Sequence, residues 1–256
     1  MEVHKHPHHV MHKKNWSEYL LEFFMLFLAV FLGFIAENIR EHYAERKKAR
    51  EYVESFYEDL KADTARISGY TNFDEEKIQG LGNLGRCYDT VLKNGKGASC
   101  LMDVIKNTAV NRPFMWTERT LKQLDNAGGF RLLNKEDADS ITSYEKEFNN
   151  FQDFQSTVFQ RAQDNVRNTF NELGNFKANE PMFRLEAGKI ISSETFTNEK
   201  VTIPILFSGD RAAINKYFNE VLLYYRVTYN HRRMLLDLKG QQARLIDYFK
   251  EKYGYE

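Results

Sequence analysis

Fourteen consecutive apolar residues, "FFMLFLAVFLGFIA" from Phe23 to Ala36, constrain this chain more than any other stretch. As a helix they measure about 21 Å, and extension from Tyr19 to Ile39 brings the length to about 31 Å, enough for a hydrocarbon core of ~30 Å. Trp16 and Tyr19 then fall where interfacial aromatic belts are expected. No small-residue cleavage site follows and the charged helix simply continues, which argues against a cleaved signal peptide. A buried core helix is seldom apolar on every side for four turns. The lipid bilayer is therefore the first expected partner, with residues 19–39 as a single transmembrane helix.

One carboxylate, Glu22, lies inside this span. On a helical wheel Glu22, Leu26, Ala29, Gly33, Ala36 and Arg40 fall within about 40° of one line, with Phe23, Phe27, Phe31 and Phe34 on the other side. Ala29-x-x-x-Gly33 is a small-x-x-x-small pair, which lets membrane helices approach closely. This predicts helix packing through Glu22, Ala29, Gly33 and Ala36, and a homo-oligomer in which the phenyl rings face lipid. The alternative is a transport or channel subunit with Glu22 lining a polar path, because intramembrane acids are functional suspects. Other membrane proteins are conceivable partners for the same face.

Thirty-six basic and 36 acidic residues balance, so no global field draws the chain to nucleic acid. The terminal amine, Lys5, Lys13 and Lys14 before the span stand against Arg40, Arg46, Lys47, Lys48 and Arg50 after it, four against five, too even a division to orient the helix. Cys87 and Cys100 are a candidate disulfide, and an oxidised pair would lean the large domain towards the periplasm.

Five of the seven histidines, His4, His6, His8, His9 and His12, crowd a tail (residues 1–18) that lacks apolar periodicity and is expected to be disordered. They form a candidate weak metal site, without the second shell that fixes ligand geometry. No bound cofactor is expected.

Beyond Ile39 the apolar positions Tyr43, Ala49, Val53, Phe56, Leu60 and Ile67 keep helical spacing, predicting a stalk helix over 40–68 that continues the span. A helical soluble domain should fill 69–256. Within it Asn134 reads as an N-cap with Asp137 three residues on. The following long helix carries Ile141, Tyr144, Phe148, Phe151, Phe154, Val158, Phe159, Val166 and Phe170 as its core face. Residues 181–207 have an extended texture, with "KIISSETF" and "KVTIPILF" flanking "TNEK" as a small hairpin. A final helix should run from about Arg211 to Lys252, capped by Ser208 or Asp210. The fold class is thus mainly α: a membrane helix, a stalk and a helical bundle, coiled-coil-like in texture, with a small β-hairpin near 181–207.

Motifs for chemistry are sparse. "GLGNLG", Gly80 to Gly85, matches G-x-G-x-x-G but has no strand before it and no βαβ context, so it reads as a loosened helix. His42 and His231 look isolated, and Arg232 with Arg233 makes a small basic patch read as a solvated face. An enzyme is not expected.

Two stretches carry a resemblance. "KKNWSEYLLEFFMLFLAVFLGFIAENIREH" with "YVESFYEDLKADT", and "TERTLKQLDNAGGFRLLNKEDADSITSY" from Thr117 to Tyr144, resemble a group of single-span inner-membrane proteins of Bacteroidota whose helical soluble domain is a domain of unknown function. The resemblance implies a bacterial inner-membrane protein and no activity. It also suggests that Thr120, Leu121, Leu124, Gly128, Arg131 and Leu132 form a structural element. In "NAGGFRLL", Gly128 or Gly129 should take the left-handed position of a helix C-terminus, with Phe130 folding back on the core.

Overall fold

The computed structural model describes residues 15–94, 99–179, 185–186, 189–190 and 204–255. Helix α1, Trp16–Gly80, is 65 residues long, roughly 97 Å of unbroken helix. It is followed by α2 (Leu84–Asn94), α3 (Cys100–Ala109), α4 (Arg119–Asn126) and a 3-10 turn over Gly129–Leu132. Next come α5 (Lys135–Asp153), a π turn at Phe154–Phe159, α6 (Gln160–Leu173) and the single-turn α7 (Phe176–Asn179). The last helix, α8, runs Arg211–Tyr253. Mainly α is the right class.

The apolar turns of α1 lie entirely outside the core, long and oily enough to cross a membrane. The phenylalanines stack along their own stripe, Phe23 on Phe27 at 6.4 Å and Phe27 on Phe31 at 5.9 Å. The stretch expected as a free stalk, 40–68, divides differently. From Val53 onward α1 is domain core, with Val53, Phe56, Tyr57, Leu60 and Ile67 all buried. Only residues 40–52, about 20 Å of helix, separate the apolar run from the first fully buried side chain. Gly69 does not end the helix either; it is exposed in mid-helix, where a glycine costs only ~1 kcal/mol and packing on one face outweighs it.

Helix α8 returns antiparallel along α1. Lys77 meets Tyr224, Asp74 meets His231, Thr64 meets Gln242, and Arg50 reaches the Tyr253 carbonyl beside the chain end. The remaining helices close two apolar cores around this pair. The core nearer the apolar run holds Phe56, Phe114, Phe148, Phe151, Leu235 and Phe249. The other holds Leu81, Val91, Leu101, Phe159, Val166 and Tyr217.

Caps behave as their chemistry dictates. Asn134 accepts from the Asp137 N–H at 2.9 Å to open α5, and Asp210, not Ser208, accepts from the Ala212 N–H at 3.0 Å to open α8. Gly128 takes the left-handed conformation after α4 with φ 61°, and Phe130 packs half-buried against the core. The long helix after Asn134 keeps its expected core face except at one turn. Past Phe151 the π turn admits an extra residue, so Gln155 and Phe159 face inward, Phe154 is half-buried and Val158 is exposed. The described strands are Leu185–Glu186 paired with Lys189–Ile190; the "TNEK" hairpin and the histidine tail lie outside the described residues.

Helix α4 is too short to stand alone, and α1 holds its start. Asp63 accepts from the Thr117 N–H at 2.9 Å and from the Thr117 hydroxyl at 2.8 Å, while Asp59 accepts from Arg119 at 2.9 Å and from the Thr120 hydroxyl. Two carboxylates one turn apart on α1 thus supply the anions that the exposed N–H groups of α4 attract. Replacing Asp63 by Ala strands the partly buried Thr117 donors and should cost about 1–3 kcal/mol in urea unfolding followed by circular dichroism.

Candidate functional site

The best-defined cluster of chemistry in the domain is a polar layer where the two cores meet. Each of three elements changes core there at a polar residue: α1 at Asp74, between Ile67 and Leu81; the π turn at Gln155, between Phe151 and Phe159; α8 at His231, between Val227 and Leu235. All three side chains are buried. His231 Nδ1 lies 2.6 Å from Asp74 Oδ2 and Nε2 lies 3.1 Å from Gln155 Oε1. The imidazole stacks on Phe159 at 4.1 Å and tilts against Phe151 at 5.2 Å. His231 is therefore not isolated, as its sequence neighbourhood suggests, because its partners lie 157 and 76 residues away along the chain.

A second group adjoins it. The buried Lys77 ammonium donates to Tyr224 Oη at 2.6 Å, to Asn111 Oδ1 at 3.0 Å and to the Val110 carbonyl. Gln163 donates to the Thr108 and Ala109 carbonyls at 3.2 and 3.1 Å, and Arg167 to Ala109 at 3.1 Å. Lys77, Gln163 and Arg167 together cap the C-terminus of α3, whose last carbonyls have no partner within the helix. That is why a lysine is buried here without touching a carboxylate. Burial, and then repulsion from Arg112 and Arg167, lowers Lys77 to about 8 despite the pull of Asp74.

The site residues expected from sequence fall elsewhere. Glu22, Ala29, Gly33 and Ala36 lie together on one exposed side of α1, and a Cβ added at Gly33 would meet nothing within 4 Å. Cys87 and Cys100 are bonded to each other, Cα to Cα 5.7 Å, pinning α2 to α3. "GLGNLG" is the corner between α1 and α2, where a Cβ on Gly80 would collide with Asn107. Arg232 pairs with Glu75 at 2.9 Å, which neutralises half of the basic patch. His4, His6, His8, His9 and His12 lie outside the described residues.

Chemically the layer is a hydrogen-bonded set in which the buried Asn111 Nδ2 is left without a partner. Helix α1 carries its acids to the interior, and the neighbouring helices supply donors.

Lys77 gives a pH dependence of known sign. Because its pKa is about 8 in the fold and 10.5 as an ordinary lysine, the unfolded chain binds more protons between those values. The cost of burying the charge is thus present below pH 8 and relieved as the pH rises. Wild type should gain on Lys77→Met by up to ~3 kcal/mol between pH 7.5 and 10 in urea unfolding.

Comparison of the chain with family models, curated proteins and solved structures gives no match.

Proposed function

We propose that this chain is a single-pass protein of a bacterial inner membrane whose helical domain acts in assembly, sensing or scaffolding through self-association. The observation that carries this reading is the continuity of α1, whose exposed apolar turns and buried domain core belong to one uninterrupted helix. A rigid connection of this kind transmits rotation and displacement between bilayer and domain. A flexible tether would not.

The wheel supports association in the membrane. The domain-facing residues Val53, Phe56, Leu60 and Ile67 project roughly opposite to Glu22, Ala29 and Gly33, at about 180° for an ideal helix. The domain therefore sits away from the small-residue side and leaves it clear for a second copy. Further along, the same side carries the exposed Glu51, Glu54 and Glu58, which would confront their counterparts in a parallel pair. Contact is accordingly confined to the span. The bonded cysteines support a periplasmic domain, where thiols are oxidised.

Single cysteines at Ala29 or Gly33 should crosslink into dimers in native membranes under mild oxidation, and cysteines at Phe27 or Phe31 should crosslink far less. Equal yields from both sets would refute association through this side. A reporter active only in the periplasm, fused after Glu256, should be active; a silent fusion whose cytoplasmic counterpart is active would reverse the topology.

A further inference from the structure

Both ring nitrogens of His231 face acceptors, and the second of these contacts decides its protonation. Gln155 is held by the backbone of Phe114: its Oε1 accepts the Phe114 N–H at 2.7 Å and its Nε2 donates to the Phe114 carbonyl at 3.2 Å. Nε2 donates again to Gln152 Oε1 at 3.2 Å. Reversing the amide would set donor against donor and acceptor against acceptor, so Oε1 is the atom that meets His231. Nε2 of the imidazole must then carry hydrogen. A neutral ring has hydrogen on one nitrogen only, which would leave the Nδ1 lone pair 2.6 Å from a carboxylate oxygen with no proton between them.

We propose that His231 is held as an imidazolium donating from both nitrogens, to Asp74 and to Gln155, and that these two N–H donors close the joint between the two cores. The arrangement is the reverse of a catalytic histidine, which presents an Nε2 lone pair to its nucleophile. His231 is a tie between α1, the π turn and α8.

The charged surroundings suit this state. From α1, Asp74 faces the ring and Lys77 stands one turn further on; Glu75, on the same turn, is occupied by Arg232 of α8. Arg112 from the segment after α3 and Arg167 from α6 act on Lys77 from the far side, and Tyr224 of α8 accepts from it. The facing groups of α5 and the π turn, Phe151, Gln155 and Phe159, carry no charge. Among these groups the anion in contact with the ring is Asp74. The aromatic faces of Phe159 and Phe151 attract a cation in addition.

The test uses the full chain in lipid nanodiscs with 15N-labelled histidine. The His231 resonances are those lost in His231→Gln. Expected are two ring nitrogens in the N–H range; a bare lone pair on either nitrogen overturns the proposal. Should His231→Gln not fold, Asp74→Asn identifies the ring: the Nδ1 resonance should move while Nε2 stays in the N–H range, and an unmoved Nδ1 overturns the proposal.

Discussion

The hydrogen-bonded pair of Asp74 and His231 is the interaction on which the rest of the domain's arrangement turns. An aromatic and aliphatic core on either side would by itself tolerate sliding of α8 along α1, because apolar contact is non-directional. A 2.6 Å contact between a buried carboxylate and a buried ring does not slide. With Gln155 on the other ring nitrogen, the register of three elements is set at one point, and the two cores grow outward from it.

The same device recurs along α1. Asp59, Asp63, Asp74 and Lys77 lie among Val53, Phe56, Leu60 and Ile67 on its buried side, and each is answered by a different segment. Asp59 and Asp63 take the start of α4, Asp74 takes α8, and Lys77 takes the end of α3. At the opposite end of the bundle Asp137 of α5 is also buried. Burial pushes its carboxyl up, but bonds from Lys252, Tyr253 and Tyr248 outweigh this and hold it below the usual carboxylate range. Burying charge costs several kcal/mol per ion before pairing, so apolar residues of equal volume would serve stability as well. What the charges add is address: a helix offering donors docks at one height on α1 and nowhere else.

Much of this was legible in the sequence, for identifiable reasons. Helical period, the Asn134 cap and the Gly128 turn depend on neighbours within a few residues, and they stand as read. The π turn was not foreseen: past Phe151, Phe159 is buried and Phe154 half-buried as read, but Val158 is exposed and Gln155, four residues after Phe151, takes the inward place instead. The polar layer was missed because its members lie on three elements far apart in the chain. A signal was nevertheless present. Asp59, Asp63 and Asp74 are acids on an apolar stripe, the same irregularity that draws attention to Glu22 in the span.

That parallel separates the two halves of α1. In the domain each acid on the stripe has donors from another segment of the same chain. In the span the apolar turns stand outside the core, and no second helix of the described chain runs beside them. On the reading proposed above, with these turns in a bilayer, the small residues Ala29, Gly33 and Ala36 leave one side of α1 open to a second copy, which would present the same residues at the same depth.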